Sequence, residues 1–127
     1  MKKIVIDTNG YLRLLLNDIP EQADQIEELL KQAKKDEIQV ILPQIIIFEM
    51  LFILEKYYYL SKEDALNKVE SLVSIGYVDV ELKEIFLESI SLYRDNSVSF
   101  VDCFISTSAQ KCGAELFTFD KKLKRLQ

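Results

Sequence analysis

Short β-branched runs alternate with longer amphipathic stretches along the whole chain. Ile4-Val5-Ile6 closes on Asp7-Thr8-Asn9-Gly10, the pattern of a buried strand that feeds a turn or a helix start. Tyr11 to Leu16 predicts a short helix that ends near Asn17-Asp18-Ile19-Pro20. From Glu21 to Lys35, Ile26, Leu29, Leu30 and Ala33 recur at helical spacing. Gln39 to Leu42 reads as a second strand, stopped by Pro43, and a very apolar helix follows from Gln44 to about Tyr59. Ser61 with Asp64 three residues on forms a capping box for a helix that carries Ala65, Leu66, Val69, Leu72 and Val73 on one face and closes at Gly76. Tyr77 to Val80 is a third strand, and Leu82, Ile85, Phe86, Ile90 and Tyr93 mark a helix broken by Asp95-Asn96-Ser97. Ser99 caps the next helix, whose inner face is predicted at Val101, Phe104, Ile105, Ser108, Ala109 and Cys112, with Gly113 at its end. Glu115 to Phe119 is expected to be a fourth strand, and Lys121 to Gln127 a short basic helical tail.

Strands that alternate with helices imply a parallel sheet covered on both faces. The expected fold is therefore a three-layer α/β/α sandwich with a central, mainly parallel sheet. The 127 residues suit a single domain over 1–127, without internal repeat, low-complexity segment or linker. In such sheets ligands bind beyond the carboxyl ends of the strands. Asp7 and Asp120 each follow a short apolar strand, so both are candidates for one edge of the sheet.

Composition narrows the chemistry more than it narrows the fold. The chain has no histidine, which removes Ser-His-Asp and Cys-His nucleophilic sites and every imidazole acid or base. Cys103 and Cys112 stand nine residues apart without a CxxC pair, which argues against a zinc site. On one helix they are too far apart to bridge, and they read as two reduced core thiols of a cytoplasmic protein. The 21 acidic against 16 basic residues count against a protein that coats nucleic acid nonspecifically. The N-terminal apolar run stops too soon for a signal peptide. The longest apolar stretch is interrupted by Glu49 and is too short to cross a bilayer, so no membrane role is expected.

Any chemistry is left to carboxylates, Lys, Tyr, hydroxyls, thiols or a metal, and the carboxylates carry the sharpest signal. Glu49 is the one charged residue among nine apolar ones between Ile45 and Leu54. A helix that apolar is expected to be buried, and a buried carboxylate must be paired, protonated or bound to a metal. A salt bridge to Lys or Arg, or a place on a wet helix edge, is the structural alternative. Asp7 and Asp120 also suit helix N-caps, and Asp102 is the acidic member of a capping box opened by Ser99. Two acids at strand ends, and two in the first turns of helices starting near the same edge, suggest a shared site. Gathered carboxylates repel strongly, and a divalent cation removes that cost. An acid-only ligand set favours Mg²⁺ or Mn²⁺, ions that act on phosphodiesters.

Two other groups admit two readings each. Tyr57-Tyr58-Tyr59 suits base stacking, or a helix end in a core or an interface. Lys121, Lys122, Lys124 and Arg125 suit RNA phosphates beside Asp120, or a solubilising tail or partner contact.

Four blocks in this order resemble the PIN-domain nucleases: Ile4 to Asn9; Glu49 in the helix after Pro43; Ser99-Phe100-Val101-Asp102-Cys103; and Thr118-Phe119-Asp120-Lys121-Lys122-Leu123. Length and element order resemble in particular the VapC-type toxins of toxin–antitoxin pairs. The resemblance spans essentially the whole chain. It implies that Asp7, Glu49, Asp102 and Asp120 are the family's acidic quartet. Asp7 and Asp102 would be direct metal ligands, with Glu49 and Asp120 acting directly or through water. Thr8, Asn9 and Thr118 would support them. It further implies Mg²⁺- or Mn²⁺-assisted hydrolysis of RNA, a homodimer, and a cognate antitoxin whose tail covers the acidic groove. Another RNA-processing role, a single-stranded or flap-type DNA nuclease, and a catalytically inactive interaction module are the competing expectations.

Overall fold

Three β-branched segments pair side by side in a computed structural model of the chain that describes residues 1–126. β1 (Lys2–Val5), β2 (Ile38–Leu42) and β3 (Val78–Val80) form a parallel sheet in the order β1-β2-β3. Register aligns Ile4 with Val40 and Val40 with Val78. The chain divides into two compact units, Met1–Glu81 and Leu82–Gln127.

The first unit holds the sheet and four helices, α1 (Thr8–Leu16), α2 (Pro20–Lys34), α3 (Gln44–Lys56) and α4 (Lys62–Val73). Parallel neighbours need a crossover, and the α1–α2 and α3–α4 pairs supply it. Local chemistry sets the boundaries. Asp7 caps α1, which ends on Asn17 in the left-handed region with φ 50°. Pro20 opens α2 at the first helical position, where its missing N–H costs nothing. The Ser61 hydroxyl accepts the Asp64 amide at 3.1 Å, the predicted capping box of α4. Pro43 gives α3 no side-chain cap of its own, and Glu81 replaces it: its Oε1 accepts the Gln44 amide at 3.0 Å. The core is built on Tyr11, Leu12, Val40, Leu42, Ile47, Met50, Leu54, Leu66 and Leu72, all essentially inaccessible to water. Each such aliphatic side chain contributes roughly 1.5–3 kcal/mol by leaving water.

Two expectations for this unit change. α3 stops at Lys56, so the three tyrosines form the turn after it, with Tyr59 at φ 54°. α3 is also not buried all round. Ile47, Met50, Leu51 and Leu54 face the core, whereas Ile45, Glu49 and Phe52, spaced by four and three residues, share an exposed stripe. The apolar run therefore covers the core and continues onto the surface.

The second unit comprises α5 (Lys83–Asp95), α6 (Phe100–Lys111) and α7 (Lys121–Lys124). α5 and α6 pack through an aromatic cluster in which Phe86 lies 4.7 Å from Phe104 and 6.2 Å from Phe100, centroid to centroid. Lys111 bridges to Glu88 at 2.8 Å, and that carboxylate holds the ammonium above its ordinary pKa. Gly113, at φ 66°, closes α6 with paired bonds: its own amide donates to the Gln110 carbonyl, and that of Ala114 to the Ala109 carbonyl.

Three readings are corrected here. α6 buries Phe100, Cys103, Ser106 and Thr107, while Val101, Ile105 and Cys112 are exposed. The aromatic cluster around Phe86 chooses the face that carries Phe100. Both cysteines are free, but only Cys103 is a core thiol. Glu115 to Phe119 forms no strand. Phe117 and Phe119 meet edge to face at 5.3 Å and stand in solvent, because β propensity without a ladder partner does not hold a strand. Of the basic tail, 121–124 is helical, and Gln127 lies outside the described residues. Among the described residues no helix is long and apolar enough to cross a membrane.

Candidate active site

In the first unit the carboxyl ends of three parallel strands line one edge, where α/β sheets bind ligands. Asp7 lies two residues beyond β1 and α3 starts two residues beyond the neighbouring strand β2. Glu49 follows five residues into α3, about 7.5 Å along its axis. Asp7 and Glu49 thus follow adjacent strands at the same edge. Both are exposed, and neither forms an ion pair with a described residue. Asp7 Oδ1 accepts the Gly10 amide at 2.9 Å, and no described residue bonds to Oδ2. Glu49 is therefore not a buried charge but sits on a wet helix edge, the alternative that its sequence allows: it is exposed, and no described Lys or Arg pairs with it. Thr8 is buried in the first turn of α1, and Asn9 beside it is exposed.

Asp7 also borders a cleft of about 270 Å³ between α1 and α2. Asn9 and Arg13 of α1 and Gln22, Gln25 and Ile26 of α2 line it. The sequence reading missed Arg13 and both glutamines. Their signal is faint, since polar residues on an amphipathic helix ordinarily face solvent. Arg13 is held in place: Nη1 meets Asp18 at 3.2 Å and Nη2 donates to the Tyr58 hydroxyl at 2.9 Å. Glu81 was missed as well, although an acid directly after a strand is the signal that singled out Asp7 and Asp120.

In the second unit the Ser99 hydroxyl accepts the Asp102 amide at 3.1 Å, and the Asp102 carboxylate sits half-buried in the first turn of α6 without an ion pair to a described residue. Asp120 caps α7, with Oδ1 accepting the amides of Lys122 at 2.8 Å and Leu123 at 3.1 Å. Its own amide donates to the Thr118 hydroxyl at 3.0 Å. Lys121, Lys122, Lys124 and Arg125 are all exposed around this cap.

Within either unit, no three described Asp, Glu or Cys residues stand close enough together to hold a metal ion. The donor set itself suits one class of ion. It offers carboxylates and hydroxyls, no imidazole and no paired thiols, and hard oxygen donors fit Mg²⁺ or Mn²⁺. The free Oδ2 of Asp7 and the unpaired Glu49 and Asp102 agree with that fit.

The sequence model of the PIN domain matches residues 4–127. A relative described as VapC ribonuclease, from Aquifex aeolicus (strain VF5), is 29% identical over 123 residues, covering 96% of this chain and 90% of the relative. No solved structure matches the chain significantly.

Proposed function

The chain belongs to the PIN domain family, and from that premise we propose that it is a Mg²⁺- or Mn²⁺-dependent endoribonuclease, the toxin of a type II toxin–antitoxin pair. One observation carries the reading: Asp7 and Glu49 follow adjacent parallel strands at one sheet edge and neither is neutralised by a described residue. Two exposed acids at one edge, with no described cation beside them, leave their oxygens open to a hard divalent ion. The similarity to a VapC ribonuclease supports RNA as the substrate.

In this reading residues 1–127 act as one domain, and Asp7, Glu49, Asp102 and Asp120 serve one site. Asp7 and Asp102 would hold the ion, and Asp7 keeps one carboxylate oxygen, Oδ2, that no described residue engages. Glu49 and Asp120 would support the ion directly or through water, or would position the water that serves as nucleophile. When bound, the ion lowers the pKa of that water and stabilises the phosphoryl charge. Thr8, Asn9 and Thr118 support the carboxylates, Thr118 by holding the Asp120 amide. Lys121, Lys122, Lys124 and Arg125 contact RNA phosphates, a local basic patch that reconciles an RNA substrate with a net charge of −5. The exposed apolar stripe of α3 around Ile45 and Phe52 contributes to a homodimer. A cognate antitoxin covers the acidic groove in the cytoplasm.

The test is a substrate panel of single-stranded RNA, single-stranded DNA and flap DNA with Mn²⁺, run on the native chain and on Asp102→Asn. RNA cleavage by the native chain alone is expected. Preferred cleavage of DNA would assign a different nuclease, and an equally active Asp102→Asn chain would remove Asp102 from the site.

A further inference from the structure

We propose that the cleft between α1 and α2 is a nucleobase subsite that reads one unpaired base beside the bond to be cut. This deepens the reading of the adjoining edge as an RNA-cleaving site, and rests on it. Asp7 ties the two places together, since it lines the cleft and caps α1 at the sheet edge.

The lining selects the ligand. Asn9, Gln22 and Gln25 present three side-chain amides, and none is hydrogen-bonded to a described residue. An amide offers a donor and an acceptor side by side, the complement of a base edge, as in the bidentate pairing of Asn or Gln with adenine. Ile26 adds an apolar wall. Arg13 is the one cation of the lining, and Asp18 and the Tyr58 hydroxyl already engage its guanidinium. A phosphate is disfavoured, because it would meet the Asp7 carboxylate. Volume agrees: about 270 Å³ lies just below the range of roughly 300–1,000 Å³ typical of drug-sized ligands and suits a single base. Gly10 fixes the wall where α1 meets the sheet, since a methyl group there would stand 2.6 Å from Ile6 Cγ2.

Two measurements test the subsite. The first compares cleavage of four RNA oligonucleotides that differ only in the base next to the cut, by the native chain and by Gln22→Ala/Gln25→Ala, both exposed positions on α2. The native chain is expected to prefer one base by roughly tenfold, and the double variant to cut all four oligonucleotides at similar rates. No native preference, or an unchanged ranking in the variant, overturns the proposal. The second titrates adenosine, guanosine, cytidine and uridine into the ¹⁵N-labelled full chain. At least one nucleoside is expected to move the side-chain amide signals of Asn9, Gln22 and Gln25, and four silent titrations overturn the subsite. If the native chain cut no RNA, the nuclease reading would fall alone, and the titration would still decide the cleft.

Discussion

Replacing Asp7 separates the two roles that one carboxylate plays. As a cap it accepts the Gly10 amide at 2.9 Å through Oδ1. Asn caps a helix about as well as Asp, so Asp7→Asn keeps that bond and forfeits only the charge at the helix start, worth roughly 0.3–1 kcal/mol and at the low end for an exposed group. Asp7→Ala loses the bond itself, at about 1 kcal/mol. In a chain of this length 1 kcal/mol moves Tm by about 4 °C. Thermal unfolding followed by circular dichroism is thus expected to place Asp7→Asn within about 2 °C of the native chain, and Asp7→Ala about 4 °C below it. Cleavage follows charge rather than stability. Even groups that only orient metal ligands cost about 10–100-fold when removed, so losing a direct ligand is expected to cost at least about a hundredfold in both variants. An Asp7→Asn chain that cuts RNA at the native rate, beside a merely less stable Asp7→Ala, would refute the metal role and leave Asp7 a cap.

Two further outcomes follow from packing. The Tyr11 hydroxyl is fully buried, has no hydrogen-bond partner among the described residues, and is pushed well above its ordinary pKa of 10.0 by burial. Tyr11→Phe removes an unsatisfied polar group and is expected to raise stability by about 1 kcal/mol, read by urea unfolding at neutral pH. Above pH 10 the unfolded chain loses this proton first, so native stability falls as pH rises and the Phe variant loses that part of the slope. A destabilised Tyr11→Phe would show a partner for the hydroxyl. In the second case, Phe52→Asp on the exposed stripe of α3 is expected to shift a homodimer to monomer in sedimentation velocity, and a native chain that is monomeric when dilute would exclude the dimer.

Much of the fold is legible because it is written locally. Ser61 and Ser99 carry their caps in the sequence, Asn17 and Gly113 end helices in the left-handed region, and the three observed strands are β-branched runs next to Pro, Gly or Asp. What depends on partners is not legible. The burial face of α6 is chosen by Phe86 on another helix, against the larger apolar stripe through Val101 and Ile105. Glu115 to Phe119 has strand propensity but no ladder, a fact about neighbours rather than composition. Glu49 stands out as an isolated acid, yet its exposure follows from which face of α3 turns outward. The individual candidate acids could be picked from spacing and strand ends. The amides of Gln22 and Gln25 could not, because what sets them apart is the cleft that α2 forms with α1.

The most direct measurement is cleavage of single-stranded RNA by the full chain before and after EDTA treatment, with Mg²⁺ or Mn²⁺ then restored. Carboxylates that hold an ion require cutting to stop with the chelator and to resume with either cation. Cutting that continues undiminished in EDTA would mean that Asp7, Glu49, Asp102 and Asp120 hold no ion the reaction needs.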